Sequence, residues 1–494
     1  MVQASFHADK FVESETAMTS ITDTSRQIDA LFHPRSVAVV GVPRGLKTGR
    51  LFLMALQDQK FPGRIYPINP HAKEIDGLRT YPDIASIREP VDLAIVLTPS
   101  RHTLEVVKDC VKKGVKGAVL FTAGYGETGP EGLRLQHEMV RIARSGGMRL
   151  IGPNGMGLYA PASGLSFFPE LSRQAGNVGL VSHSGSLANI LGRVASGKGV
   201  YFSKVASIGN ECDLTCPDFI DYLAQDASTR VIGAYVEGIK DGPAFLSAAR
   251  NASLEKPVII WKMGLNRAGA QAAASHTGAL AGSAKIWSAA AKQAGVVRVS
   301  GFEAWVDALM GFSLLPGNIG RRVAIVSGPG GLAVSATEAC SAAGLLMADL
   351  SAETRSRLGA FIPPTGTSTA NPVDVGLTAS LEIDIYLEAV RAVAADPGVD
   401  MVVVIGIGLS EETNNRYTDG MVEVQQGAGK PFVMVGIPGF GADMAARFCN
   451  AGIPFFDTAE RAMQTCALVY AHQSRQRRMR ACGHSAGTRR GNAS

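Results

Sequence analysis

The chain has 494 residues, of which 46% are hydrophobic and 18% charged, with 56 glycines and a formal charge of +5. That length exceeds a single core and points to about three domains, and the glycine-rich, charge-poor composition suits α/β units with buried parallel strands. The charge does not speak for nucleic acid, because residues 471–494 carry Arg475, Arg477, Arg478, Arg480, Arg489 and Arg490 and no acid, which leaves the rest of the chain at −1.

Taken in chain order, the leader comes first. Met1 to Arg26 lacks the basic-then-apolar pattern of a signal peptide, and no apolar run, not even Met401 to Leu409, reaches membrane-spanning length. A cytoplasmic protein without membrane contact is expected. A first set of buried-type strands follows at Val37–Val40, Ile65–Ile68, Leu93–Leu97, Gly117–Phe121 and Arg149–Ile151, separated by helical stretches, and defines a unit over residues 29–160. Its opening turn, Gly41-Val-Pro-Arg-Gly45, is not a GxGxxG. Ile68-Asn-Pro70 stands where a dinucleotide site needs an acid for the ribose, so a nicotinamide-dependent oxidoreductase is the disfavoured alternative.

A second set, Val178–Val181, Lys204–Ser207, Val231–Val236, Pro257–Trp261 and Val296–Val299, fills residues 170–315. Leu314 to Arg322 breaks it. A third set over residues 318–472 opens at Val323–Val326 and continues at Met401–Ile405, Phe432–Val435 and Ile453–Phe456, ahead of a basic tail at 473–494 expected to be flexible and solvated, with docking to an acidic partner as its second reading. The turns Ser182-His-Ser-Gly-Ser186 and Ser327-Gly-Pro-Gly-Gly331 put small residues and free N–H groups at helix starts, where a phosphoryl group is cradled, although such glycines also serve close packing. The seven cysteines are scattered, and Cys212 and Cys216 find no second ligand pair, so reduced thiols and no metal site are expected.

One stretch stands apart. In Gly269-Ala-Gln-Ala-Ala-Ala-Ser-His-Thr-Gly-Ala-Leu-Ala-Gly282 a single histidine, His276, sits among small residues. A neutral imidazole is a good nucleophile towards phosphorus, and a loop without bulky neighbours is free to carry it between partners, which suggests a phosphohistidine carrier.

The order of motifs resembles the ADP-forming acyl-CoA synthetases, whose fold is shared with the α subunit of succinyl-CoA synthetase. The likeness runs from about residue 29 to residue 472 and rests on Val37-Ala-Val-Val-Gly41, Tyr66-Pro-Ile-Asn-Pro70, Val91-Asp-Leu-Ala94, Gly152-Pro-Asn154, Gly176-Asn-Val-Gly-Leu180, Ser207-Ile-Gly-Asn210, Tyr235-Val-Glu-Gly238, Ser275-His-Thr-Gly278 and Asn371-Pro-Val-Asp374. It implies three consecutive doubly wound α/β domains, a CoA-binding Rossmann-like domain followed by two flavodoxin-like ligase domains. Coenzyme A is then expected over Gly41 to Gly49, with Pro43 and Arg44, and along Arg64, Lys73, Thr98, Pro99 and the loop from Gly124 to Glu127. By the same resemblance His276 is the residue phosphorylated and Glu237 accepts a hydrogen bond from its other ring nitrogen. Ser184, Gly185 and Ser186, with Gly330 and Gly331, then hold the phosphoryl group at two helix N-termini.

Two departures carry expectations of their own. His183 replaces the glutamine usual in the family, either as a second histidine at the phosphoryl site or, the preferred reading, as a filler of the glutamine position. Gly155 follows Asn154 where the family usually has cysteine, and is expected to enlarge the acyl end of the substrate pocket. Fused members continue into an ATP-grasp domain that this chain does not supply. The resemblance therefore implies a CoA-ligase subunit acting on a small carboxylic acid in a hetero-oligomer, with ATP, ADP and Mg held by a separate ATP-grasp subunit. A CoA- or acyl-CoA-binding regulatory or scaffold protein is the other alternative.

Overall fold

The computed structural model describes residues 22–277, 282–406, 410–437 and 442–488. Among these residues the strands assemble into three large sheets and one two-stranded hairpin.

The first sheet follows α1 (Asp23–Phe32), whose start is capped by Thr22, its hydroxyl oxygen accepting the Ser25 N–H at 3.1 Å. Its elements are β1 (Ser36–Val40), α2 (Thr48–Asp58), β2 (Arg64–Ile68), the hairpin β3 (Glu74–Ile75) and β4 (Leu78–Arg79), β5 (Leu93–Val96), α3 (Ser100–Lys113), β6 (Gly117–Leu120), α4 (Pro130–Ser145) and β7 (Arg149–Ile151). The strand order β2-β1-β5-β6-β7 is all parallel. Every residue of β1, β5 and β6 is buried, as strands covered by helices on both faces require, which is why they read as unbroken apolar runs. The chain winds one way from β1 to β2 and the other way to β5, so the carboxyl ends of β1 and β5 border a crevice.

The second sheet comprises β8 (Gly157–Tyr159), β9 (Val178–Ser182), α5 (Gly185–Gly197), β10 (Phe202–Ser207), α6 (Cys216–Gln225), β11 (Val231–Val236), α7 (Gly242–Glu255), β12 (Val258–Lys262), α8 (Arg267–Thr277), α9 (Ala284–Ala294), β13 (Val297–Val299) and α10 (Phe302–Leu314). Its order, β13-β12-β11-β9-β10-β8, is flavodoxin-like with one addition: β8 closes the edge antiparallel to β10. The reversal of direction falls between β9 and β11.

The third sheet repeats that order as β15-β14-β17-β18-β19. Its elements are β14 (Arg322–Ser327), α11 (Gly330–Ala342), β15 (Leu346–Met347), α12 (Ala352–Gly359), β16 (Val373–Asp374), which pairs with β14, α13 (Ile383–Ala395), β17 (Met401–Ile405), α14 (Glu411–Ala428), β18 (Phe432–Val435), α15 (Ala442–Asn450), β19 (Phe455–Phe456) and α16 (Ala459–Thr488).

Buried charges and rings join the three units. Asp213, fully buried ahead of α6, accepts from Arg144 Nε at 2.6 Å, from Arg149 Nε at 2.9 Å and from the Leu150 N–H at 2.8 Å, which ties the first sheet to the second. Phe32 of α1 stacks on Tyr222 of α6 at 5.6 Å, and the Tyr222 hydroxyl donates to Asp29 at 2.8 Å. Between the second and third units α10 packs on α16, where Arg461 grips Asp307 at 2.6 Å and Glu303 at 2.6 Å.

The basic stretch expected to be a flexible tail from residue 473 begins instead inside α16. The Gln473 side chain is held at both ends of the linker between the second and third units, its Nε2 donating to Pro316 O at 2.9 Å and its Oε1 accepting the Ile319 N–H at 2.9 Å. Arg477 adds a bond to Asn318 Oδ1. Polar side chains that satisfy a linker's backbone hold a helix in place without the apolar periodicity that a sequence reading looks for. Among the described residues no helix is long and apolar enough to cross a membrane.

Candidate functional site

In the first unit, the residues expected around coenzyme A gather mostly at the carboxyl ends of adjacent strands. Gly41, just past β1, has φ +88°, and a Cβ there would lie 3.1 Å from Thr98 Cγ2, so glycine is needed both for the turn and for the approach to the chain leaving β5. Thr98 and Pro99 follow β5 and lead into α3. Gly124, past β6, packs against the Ser100 hydroxyl, where a Cβ would come within 2.9 Å. Arg44, Lys47 and Lys73 are exposed beside the Gly41 turn, and Lys47 opens α2 without a side-chain cap. An uncapped helix start with cations around it suits a phosphate. Arg50 steadies the turn, its guanidinium bonding both the Arg44 carbonyl and the Asp76 carboxylate of the β3–β4 hairpin.

Arg64 is not brought there. The register pairs it with Ser36 at the amino end of β1, so it lies at the opposite edge of the sheet from Gly41, and its guanidinium faces Glu89 at 3.6 Å. Glu127 is near the crevice but its carboxylate is engaged. Oε1 accepts the N–H groups of Gly124 and Tyr125 at 2.6 and 3.2 Å, and Oε2 accepts from Asn210 Nδ2 across the boundary with the second unit. Burial alone would raise this carboxyl, but the backbone donors and Asn210 hold it below the usual range. Glu127 thus shapes the loop.

In the second unit, the crevice lies between β9 and β11. Ser182 ends β9 and folds the next turn, its Oγ donating to Ser184 O at 2.7 Å and accepting the Ser184 N–H at 3.1 Å. Ser184 is the N-cap of α5, its Oγ accepting from the Leu187 N–H at 3.3 Å and lying 3.2 Å from Ser186 Oγ. Gly185 faces Met156 of the preceding unit, with a Cβ brought to 2.5 Å of its Cγ.

Glu237, one residue past β11, is buried. Its N–H donates to His183 Nδ1 at 3.2 Å, and its carbonyl accepts from Lys262 Nζ at 2.8 Å. Burial and the Glu237 carboxylate push the Tyr235 hydroxyl up, and burial pushes the Lys262 ammonium down. On the far side of His183, Nε2 lies 3.5 Å from Glu211 Oε2.

The two units meet at this edge. Asn210 donates to Glu127 and takes the Pro153 carbonyl on its N–H at 2.9 Å, while Cys212 N–H donates to Gly152 O at 2.9 Å. Asn154 turns the chain at φ +59°, and Gly155 is buried behind it. The expected enlargement at Gly155 is not there, because a Cβ would come within 2.7 Å of Ser207 O and strand β10 fills the space. Cys212 and Cys216 are free thiols, and burial pushes Cys212 up to about 12.

His276 falls at the end of α8, which packs against the turn Gly126–Thr128 of the first unit; its side chain lies outside the described residues, as does Gly278. Gly330 and Gly331 open α11 in the third unit. Gly330 gives room to Asp374, whose Oδ2 would lie 2.4 Å from a Cβ, and Asp374 is set there by Asn371, which bridges Val323 O and Ala348 O with its amide. Sequence reading missed Glu211, Lys240 and Lys262. Glu211 directly follows the Ser207-Ile-Gly-Asn210 motif, and a charged residue at the end of an apolar strand is the signal that marks it.

A chain with a crevice of this kind at the first sheet and a flavodoxin-like sheet docked on its loops is a CoA-binding and CoA-ligase assembly: residues 35–161 match the CoA-binding domain, and residues 175–312 match the flavodoxin domain of succinyl-CoA ligases. The chain belongs to the family of α subunits of ADP-forming acetate–CoA ligases. It is 35% identical over 450 residues to the α subunit of acetate–CoA ligase II of Pyrococcus furiosus, covering 90% of this chain and 97% of that one. To acetate–CoA ligase I of Archaeoglobus fulgidus it is 34% identical over 445 residues, spanning 63% of that protein. The dinucleotide-forming acetyl-coenzyme A synthetase 1 of Ca. Korarchaeum cryptofilum, solved with phosphate and ADP, superposes with a TM-score of 0.81 at 33% identity, over 91% of this chain and 97% of that one.

Proposed function

We propose that this chain is the CoA-ligase subunit of an ADP-forming acyl-CoA synthetase that works with a separate ATP-grasp subunit. The observation that carries the reading is that the α5 N-terminus and buried Glu237 stand at the carboxyl ends of the neighbouring strands β9 and β11, while α8, the helix whose sequence includes His276, packs on the loop Gly126–Thr128 of the CoA-binding unit. The partner, holding MgATP, phosphorylates His276. Glu237 accepts the remaining ring N–H and balances the positive charge of the imidazole, and the N–H groups of Gly185 and Ser186, at the helix start that Ser184 caps, meet the phosphoryl oxygens. Gly330 and Gly331 do the same from α11, alongside Asp374.

The phosphoryl group passes from Nε2 or Nδ1 of His276 to a carboxylate oxygen, which returns the imidazole to its neutral form and gives an acyl phosphate. The thiol of CoA attacks the acyl carbon, and inorganic phosphate leaves. The chain's own part is to orient these groups and keep water from the two hydrolysable intermediates. Arg44, Lys73, Thr98, Pro99 and the Gly124 loop hold CoA, with Asn154 at the acyl end.

The test is reconstitution. With the cognate ATP-grasp subunit and labelled ATP, the chain acquires acid-labile, base-stable label and makes acyl-CoA, whereas alone it binds CoA without turning over. His276→Ala removes the label and the activity and leaves CoA affinity within about twofold, since the imidazole does not hold CoA. Label retained in His276→Ala sinks the assignment.

A further inference from the structure

We infer that His183 and Glu211 are positioning residues that set the orientation of Glu237, an inference that rests on the role proposed for Glu237 above. β9 and β11 are parallel neighbours with Ser182 opposite Tyr235, and the backbone N–H of His183 continues the pairing by donating to Tyr235 O at 3.1 Å. The imidazole reaches two residues further and accepts the Glu237 N–H at Nδ1, 3.2 Å away. On the other side of the same Cα, Lys262 Nζ donates to Glu237 O at 2.8 Å. The peptide units before and after Glu237 are therefore both clamped by side chains, which fixes the direction in which its Cα–Cβ bond points.

An imidazole does this only in one form. Because Nδ1 accepts, its proton must sit on Nε2, and Nε2 faces Glu211 Oε2 at 3.5 Å. Glu211 is built for that place at some cost. It holds φ +41°, a region that a residue with a side chain rarely adopts, and its Oε2 also accepts the Cys216 N–H at 2.9 Å. Lys240 Nζ bonds the Glu211 carbonyl at 3.2 Å. Burial alone would raise the Glu211 carboxyl, but His183, the Cys216 N–H and Lys240 hold it below the usual range.

Both side chains are only 5% exposed. A strand end that needed mere filling is served at lower cost by an apolar residue, because a buried carboxylate and imidazole must recover their desolvation through specific bonds. What those bonds fix is the Glu237 backbone. His183 itself is no phosphoryl acceptor, since Nδ1 is engaged and Nε2 is buried facing the Glu211 carboxylate.

The test compares His183→Leu, which fills the space without an acceptor, with His183→Asn, whose Oδ1 takes the place of Nδ1. In the reconstituted enzyme, rapid quench with labelled ATP measures phosphohistidine formation, and calorimetry measures CoA binding. His183→Leu is expected to slow phosphorylation at least about tenfold with CoA affinity within about twofold, since the Glu237 N–H loses its imidazole acceptor, and His183→Asn to stay within about threefold of the unaltered enzyme. Glu211→Gln, which keeps the shape but loses the charge, is expected to slow it about three- to tenfold and serves if His183→Leu does not fold. Equal rates for folded His183→Leu and the unaltered enzyme, or for Glu211→Gln and the unaltered enzyme, overturn the inference, as does a His183→Asn as slow as His183→Leu. An unaltered enzyme that forms no phosphohistidine overturns the role of Glu237 instead, and this inference with it.

Discussion

Replacing Asp213 by alanine should loosen the junction between the CoA-binding and ligase units more than any neighbouring charge change. The carboxylate is fully buried and receives two arginines and a backbone N–H, but the arginines are unequal: the Arg149 side chain is 13% exposed and that of Arg144 58%. Arg144 keeps most of its hydration whether or not Asp213 is present, so its share is about 1 kcal/mol or less. Asp213→Ala leaves the buried Leu150 N–H unpaired and the half-buried Arg149 charge without its carboxylate, with only Gln27 Oε1 still accepting from Nη1 at 2.8 Å, a loss on the order of 3 to 5 kcal/mol. For a unit of this size that corresponds to roughly 6 to 20 °C in the first thermal transition. Asp213→Asn keeps an acceptor for Leu150 and for one guanidinium N–H and should cost about 1 to 3 kcal/mol. Differential scanning calorimetry of the full chain checks the ranking Ala, then Asn, then Arg144→Ala. A transition for Asp213→Ala within about 3 °C of that for Arg144→Ala would refute the reasoning.

The same carboxyl gives a pH signature. Burial alone would raise it, but Arg149, the Leu150 N–H and Arg144 hold it below the usual range. A depressed native value means that the stabilisation is fully present above the unfolded value of about 3.9 and is lost as pH falls through the lower native value. The gap between wild type and Asp213→Asn should therefore be flat above about pH 5 and close below about pH 4.

Glu237→Gln should preserve fold and CoA affinity but slow phosphohistidine formation, since an amide accepts the ring N–H without balancing charge; the loss is about 2 to 4 kcal/mol at the transition state, and an unchanged single-turnover rate would make Glu237 structural. A chain ending at residue 472 should be destabilised by about 2 to 4 kcal/mol, because it strands the buried Ile319 N–H and the Pro316 carbonyl that Gln473 satisfies. One ending at Met479 should melt like the full chain, and equal melting of both truncations would return the basic stretch to solvated surface.

The arrangement of strands was legible in the amino-acid sequence because strands covered on both faces must be continuously apolar: Val37–Val40, Val231–Val236 and Met401–Ile405 read as strands from side chains alone. The glycine turns at Gly41 and Ser182–Ser186 were legible for a similar local reason, since a strand that runs directly into a helix needs residues without bulk at the corner. So was the order of motifs that points to CoA ligases. Which end of a strand a residue occupies is another matter. Arg64 and Gly41 both adjoin β1 in the sheet, but the pairing of Arg64 with Ser36 places it at the far edge from the crevice. The edge strand Gly157–Tyr159 carries too short a run to signal itself and exists because β10 offers it an unpaired edge. The helix at Ala459–Thr488 passes into an arginine-rich stretch with no apolar stripe, and only the backbone of the linker at Pro316 and Ile319 gives Gln473 its reason to be ordered. Gly155 has no side chain, yet the space is taken by a strand that lies some fifty residues away in the chain. Most of all, His183, Glu211 and Glu237 belong to three different strand ends. Local sequence determines what each strand end carries, while the 2-1-3 order of parallel strands, set by long-range packing, decides which of those ends stand side by side.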